Sequence, residues 1–371
     1  MQNATQTTTT AQTSDAYSNF INSLDSEESR LTYRKSFVHF MRFCKKETYD
    51  QMLEEIQPTK KLEGLIRDFI IHLRDEKKVS SSTIMTYSAA VAHFYEMNDV
   101  IINWRKLRKF KGKMRKVVED VPYTRDQIKT LLDRATPRDR CIILLMASAG
   151  LRRGGLPGLR LKDLQRIPKY SLYKIFVYKK EQEQYITYCT PECAKLIDQY
   201  LDWRARLGEE LTAASPLFRK EFDTPAAAKP QPIVAGTISL MMARLLDRTG
   251  VRPRTQTSYI KSSLMECHGF RKFFDTQCIN HNMNPLYAEY LMGHKTGLMK
   301  SYFKPSDMEL LEGNDKSLGY AAIIPYLTIN ATEEENQRLK QQLVRKEIEY
   351  TKGWEMARSQ IIEIKKKLGL E

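Results

Sequence analysis

The chain lacks several features by which common protein classes are recognised, and each absence excludes something. Its six cysteines, Cys44, Cys141, Cys189, Cys193, Cys267 and Cys278, contain no CxxC pair. That argues against a disulfide framework, and most of them sit in apolar stretches where a free thiol behaves as a small hydrophobe. Cys189 and Cys193 taken with His268 fit no usual structural zinc spacing. The expectation is a reduced, intracellular protein with no metal site and no cofactor. No apolar run approaches the roughly 18 residues of a membrane span. The Thr/Gln-rich first fourteen residues have neither the basic nor the apolar region of a signal peptide. A cytoplasmic protein with no membrane partner is expected. Acidic residues are also short: 45 Asp and Glu face 60 Lys and Arg, a formal net charge of +15. Such an excess favours a polyanionic partner, nucleic acid first among them, over a protein that is merely basic.

What is present suits two folded domains with tails, since 371 residues exceed one typical domain and a 42% hydrophobic content can build real cores. Residues 1–14 read as a low-complexity tail. Over 15–102, three segments show helical spacing: Leu31 through Phe43; Leu62, Leu65, Ile66, Phe69, Ile70 and Leu73; and Ile84, Tyr87, Val91, Phe94 and Tyr95. Ser80 to Thr83 offer a cap for the third. A small all-helical domain is expected there.

Residues 103–122 read as a basic interdomain linker. Between Trp104 and Lys116 lie eight basic residues and no acidic one: Arg105, Lys106, Arg108, Lys109, Lys111, Lys113, Arg115 and Lys116. A charge run is ordinarily a solvated face. Thirteen residues of one sign repel one another unless an anion lies against them, so a DNA-facing segment is expected.

The second domain, 123–330, opens where Thr124 looks like an N-cap ahead of Gln127 and the apolar Ile128, Leu131 and Leu132. Cys141 to Ala149 reads as a buried helix. Lys174 to Tyr178 and Tyr185 to Cys189 are β-rich runs around a polar turn and should pair as a hairpin. Pro191 and Glu192 open the next helix, and Asp223 to Pro232 reads as a surface loop. The fold class is therefore mainly α with a small antiparallel sheet, α+β. Over 331–371, Leu343, Tyr350, Trp354, Ala357, Ile361, Ile364 and Leu368 form a coiled-coil-like seam, suited either to self-association or to folding back on the same chain.

Three short segments concentrate the chemistry: Gly150-Leu151-Arg152, His268-Gly269-Phe270-Arg271, and Met292-Gly293-His294 with Tyr302 eight residues on. A phosphodiester resists attack because its charge repels nucleophiles and its leaving alkoxide is poor. A catalyst without a metal must supply cationic donors, a nucleophile and an acid. Arg152 and Arg271 suit the first task, since a guanidinium stays charged and can bind phosphate through two donors. His268 lies three residues before Arg271, so on a helix the two project toward a common side. His294 follows a glycine at a tight turn. Each of these side chains alone is ordinarily a structural one; their clustering in glycine-flanked basic segments sets them apart.

Taken together the segments resemble the signature boxes of the tyrosine recombinase/integrase family, closest to integrases of archaeal mobile elements. The resemblance covers roughly residues 25 to 310. It implies a helical core DNA-binding domain ahead of a catalytic domain, and Tyr302 as nucleophile forming a 3′-phosphotyrosyl bond without metal or ATP. It implies a lysine on the hairpin as proton donor to the leaving 5′-oxygen, for which Lys179 leads and Lys180 follows, the latter otherwise a phosphate contact. It also implies double-stranded DNA attachment sites as partner and a homotetramer on DNA, with a Holliday junction between two duplexes. Two departures stand out. Gly155 occupies the position three after Arg152 where the family usually carries an acid, and the interval from His294 to Tyr302 is about one residue shorter than in many relatives. Rival readings are a non-catalytic DNA-binding or architectural protein with degenerate boxes, a type IB topoisomerase-like relaxase, and a metal-dependent nuclease. The last is disfavoured because no close cluster of Asp and Glu surrounds the boxes.

Overall fold

The structure is a computed structural model. It describes residues 15–54, 59–112 and 121–330, apart from 180, 182, 221–229, 253–265, 295–302 and 315, together with isolated positions beyond 330. The chain divides into two compact units, 1–117 and 118–371.

In the first unit, α1 (Asp15–Asn22), α2 (Glu27–Phe43), α3 (Thr59–Ile71) and α4 (Ser81–Glu96) enclose an aromatic core. The three expected helical segments are α2, α3 and α4. A wide turn of five residues, His72–Glu76, extends α3. Ser26 and Ser80 start α2 and α4 by accepting from the backbone N–H groups of Ser29 and Thr83, which satisfies donors that have no partner in a helix's first turn. Phe37 of α2 and Phe94 of α4 meet with ring centroids 4.1 Å apart, and Phe20 of α1 is wholly buried against both. The helix α1 escapes sequence reading because a single apolar turn carries no periodicity.

The basic stretch differs from a free linker in its first half. Trp104–Leu107 form a short helix, α5, which tightens into a 3-10 turn over Arg108–Lys111. Leu107 is buried and Trp104 and Phe110 pack on the first unit's core. The carbonyl of Phe110 accepts from Arg74 Nη1 at 2.8 Å, and Asn103 donates its N–H to Glu63 at 3.0 Å. Apolar residues every third position are enough to anchor the segment, while Arg105, Lys106, Arg108 and Lys109 remain exposed. Lys113, Arg115 and Lys116 lie outside the described residues.

The second unit is built around α7 (Pro137–Ala149), every residue of which except Pro137 and Arg140 is buried. Around it pack α6 (Arg125–Arg134), α8 (Pro191–Arg206), α10 (His268–Asn280) and α13 (Tyr320–Leu327), with α9 (Ala235–Thr249), α11 (Pro285–Leu291) and α12 (Asp307–Glu312) completing the shell. Thr124 and Gln127 close a reciprocal capping box at the start of α6, and Thr190 caps α8 ahead of Pro191. The hairpin is present as β2 (Leu172–Val177) and β3 (Tyr185–Tyr188), antiparallel with Val177 opposite Tyr185. A third strand, β1 (Leu164–Ile167), pairs antiparallel with β2 on its other edge. A second, two-stranded pairing joins β4 (Gly313–Asn314) to β5 (Ser317–Leu318). The class is the expected one: mainly helical, with small antiparallel sheets.

All six cysteines are free, four of them buried. Among the described residues no helix is long and apolar enough to cross a membrane. Most of the 223–232 loop and nearly all of the carboxy-terminal seam lie outside the described residues.

Candidate active site

The three boxes meet at the end of α7. A helix leaves its last carbonyls without partners in the helix itself, and here each of three takes its donor from a different element. Ser148 O accepts from Tyr320 Oη of α13 at 2.9 Å, Ala149 O from Thr187 Oγ1 of β3 at 2.9 Å, and Gly150 O from Arg271 Nη1 of α10 at 2.5 Å. Gly150 ends α7 in the left-handed conformation, φ +59°, and a Cβ there would lie 2.7 Å from the Phe274 ring. Glycine is thus required both by the backbone and by the close approach of α10.

Arg271 ties the second box to both others. It is 4% exposed. Besides Gly150 O, it donates through Nη2 to Met292 O at 2.7 Å. Arg152, exposed on the extended residue that follows the α7 turn, donates through Nη1 to the next carbonyl, Gly293 O, at 3.1 Å. Two guanidiniums therefore bind successive carbonyls of one turn. Burial first, and then the Arg152 charge, push the Arg271 guanidinium down to about 10, which leaves it protonated at neutral pH. Like charges held side by side in a half-dry pocket are costly unless an anion shares them.

The turn carrying His294 is a Schellman motif. Gly293, at φ +65°, donates its N–H to Tyr290 O at 2.9 Å, and His294 donates its N–H to Glu289 O at 3.0 Å. The Tyr185 ring of β3 fills the space beside Gly293, where a Cβ would stand 2.4 Å from Cδ1. The Tyr185 hydroxyl is buried beside the Arg271 guanidinium, without the geometry of a full hydrogen bond to it. Burial raises it to about 12, although Arg271 and Arg152 pull the other way. His294 Nδ1 lies 2.6 Å from Glu289 Oε2.

His268 begins α10 on its exposed side, one turn before Arg271. Lys179 follows β2, with Nζ 4.9 Å from the Phe176 ring centroid. It is exposed. Tyr302 and Lys180 lie outside the described residues. Phe303, covalently next to Tyr302, is anchored on the third box's helix: its carbonyl accepts from Tyr290 Oη and its ring stacks on Tyr287 at 6.0 Å. At position 155 a Cβ would meet Val177 Cγ1 at 3.0 Å and the Tyr178 phenol at 3.6 Å, so Val177 and Tyr178 line the place where the resemblance implies an acid. Among the described residues no group of three or more His, Cys, Asp and Glu is arranged to hold a metal ion.

Sequence reasoning missed Glu289, Asp275 and Tyr185. The Schellman spacing, five residues from its third-last helical position to the residue after the glycine, is a signal that pairs 289 with 294. Tyr185 carries no such signal, because only the fold brings β3 under the third box.

A mainly helical unit that gathers two arginines and a histidine onto one turn, one from each of three boxes in chain order, has the form of the integrase class. The chain belongs to the phage integrase family: the family model matches residues 123–308. With that family come DNA recombination, DNA binding and the tyrosine recombinase class. Among solved structures, the fold is similar to that of a lambda integrase (75–356) dimer bound to a COC′ core site. The identity is 15%, with 79% of this chain and 94% of that one covered and a TM-score of 0.51. XerA recombinase is also similar, at 21% identity over 80% of this chain and 96% of that one, TM-score 0.38. XerH site-specific recombinase bound to difH substrate follows at 14% identity, 74% and 75% coverage and TM-score 0.49. A search of curated proteins gives no match.

Proposed function

We propose that the chain is a site-specific recombinase that cuts and rejoins double-stranded DNA through a 3′-phosphotyrosyl intermediate on Tyr302. The observation that carries this reading is the convergence of Arg271 and Arg152 on the carbonyls of Gly150, Met292 and Gly293. Residues about 120 and 140 positions apart in sequence are thereby brought to one cationic spot, with the residue after Tyr302 anchored on the same helix.

In the proposed reaction the guanidiniums of Arg152 and Arg271 and the imidazole of His294 hold the non-bridging oxygens and favour the charge that builds on them. The Tyr302 phenol attacks phosphorus as its proton passes to a base, for which the imidazole of His268 is suited. The new bond is tyrosyl oxygen to phosphorus, and the bond to the 5′-oxygen breaks. Lys179, or Lys180 beside it, gives that oxygen its proton. A 5′-hydroxyl from a second duplex then attacks the phosphotyrosine and frees the enzyme. One phosphoester replaces another at each step, so neither ATP nor a metal is consumed. The unit 15–102 serves as the core DNA-binding domain, the exposed cations Arg105, Lys106, Arg108 and Lys109 together with Lys111, Lys113, Arg115 and Lys116 contact phosphate, and 123–330 is the catalytic domain. The working assembly is a homotetramer on two attachment sites, acting in the cytoplasm.

The test is a nicked suicide duplex drawn from a library of candidate attachment sites, incubated with the protein in chelator. A covalent adduct that survives denaturation and disappears in Tyr302→Phe, with DNA affinity retained, supports the reading. DNA binding without an adduct indicates a non-catalytic binder. Cleavage that requires divalent metal and leaves no adduct indicates a nuclease, and relaxation of supercoils by a monomer without strand exchange indicates a topoisomerase.

A further inference from the structure

Arg271 presents a question of charge that its hydrogen bonds do not answer. Both of its acceptors are neutral carbonyls, and its neighbour Arg152 is a like charge. A cation this deeply buried is stable only where a negative charge lies close. The Tyr185 phenol and, after it, the carboxylate of Glu289, one turn before the Gly293 turn, favour the charged form of Arg271. The same carboxylate accepts from His294 Nδ1 at 2.6 Å. The fold delivers it there by a fixed route. In a Schellman motif the third-last helical residue and the second residue past the helix lie against each other, usually through an apolar contact. Here those positions are Glu289 and His294, and the contact is a side-chain hydrogen bond.

We propose that Glu289 is the positioning residue of this site: it holds the His294 ring with its Nδ1 side engaged, leaving Nε2 to face phosphate. The inference deepens the recombinase reading and rests on it for the catalytic consequence. Which ring nitrogen of a histidine carries a proton is set by the bond the other nitrogen makes, so a carboxylate on Nδ1 leaves Nε2 directed outward. The other titratable or charged groups around Glu289 and His294 are Arg271 and Asp275, both on α10, with Arg152 and the Tyr185 phenol beside Arg271. Burial and the nearness of Glu289 raise the Asp275 carboxyl, and Glu289 is the carboxylate that bonds to His294.

The backbone bonds of the Schellman motif do not require the Glu289 side chain, so Glu289→Ala keeps the helix end, and Glu289→Gln keeps the shape without the charge. Two measurements test the proposal. The first follows imidazole nitrogen resonances in protein labelled at its histidines, with His294 assigned through His294→Gln. The wild type should show Nδ1 protonated and Nε2 directed outward, and Glu289→Ala should mix the tautomers. An unaltered ring spectrum in Glu289→Ala overturns the positioning role. The second follows adduct formation on the suicide duplex. Glu289→Ala and Glu289→Gln should slow it by about tenfold to a hundredfold, with DNA affinity within about twofold of wild type, and Glu289→Asp should recover part of the rate. Wild-type rates in Glu289→Ala overturn the catalytic consequence. If the wild-type protein itself forms no adduct, the recombinase reading fails, and the ring spectra still decide whether Glu289 orients His294.

Discussion

Gly293→Ala is the substitution whose consequences the structure defines most fully. The native backbone there has φ +65°, a conformation that costs an L-residue with a Cβ about 1–2 kcal/mol. The added methyl would also stand 2.4 Å from Cδ1 and 2.5 Å from Cε1 of Tyr185, far inside contact distance. Overpacking of this kind costs about 1–3 kcal/mol, so the total loss should be about 2–5 kcal/mol. Denaturation of the full chain by urea, in a Trp104→Phe, Trp354→Phe background that leaves Trp203 on α8 as the one tryptophan, reports on the second unit. Removing the ring with Tyr185→Ala relieves the packing share but not the backbone share. The double variant should therefore be more stable than the sum of the single losses implies, by about 1–3 kcal/mol. Strict additivity, within about 0.5 kcal/mol, would refute the claim that the Tyr185 ring is what forbids a side chain at 293. Because Gly293 O is the acceptor for Arg152, the single variant should also lose adduct formation more than DNA affinity.

Three further outcomes are expected. Arg271→Lys leaves one of the carbonyls of Gly150 and Met292 without its donor, a loss of about 1–3 kcal/mol, and should remove adduct formation; a variant with wild-type stability and rate contradicts the bridging role. Asp275→Asn should raise the melting temperature near pH 7 by about 1–2 °C, a small gain because the half-buried site is screened by solvent. A carboxyl raised on folding favours the folded state at low pH and loses that advantage as pH rises, so the benefit of the amide should vanish near pH 4, and a gain that grows on acidification contradicts it. Replacing Arg105, Lys106, Arg108 and Lys109 by alanine should flatten the slope of log affinity against log salt by about 0.9 for each phosphate that the protein no longer neutralises; an unchanged slope excludes the exposed face of α5 and its 3-10 extension from DNA binding.

Local signals carried much of this molecule. The caps Ser80, Thr124 and Pro191, the α2, α3 and α4 periodicities and the β2–β3 hairpin are short-range features, encoded within a turn or two of chain, and they can be read without knowing what surrounds them. The same holds for the residue content of the three boxes. The basic stretch was legible as charge but not as structure, because Leu107 and Phe110 anchor it only when the core that receives them exists. Likewise β1 became a strand through pairing with β2, and α1 a helix through the burial of Phe20.

By itself the sequence determined the inventory: two arginines, two histidines and glycines at turns, in a chain with an excess of positive charge. Tertiary structure alone decided how they meet. The carbonyls that end α7 take donors from α13, β3 and α10, none of them near it in sequence, and a buried guanidinium is tolerated only where such acceptors and a carboxylate are assembled around it. Hydrogen-bond complementarity over separations of 38 to 172 residues leaves no periodic trace in a sequence, which is why Arg271 could be named from its box while Tyr185, its neighbour in space, could not.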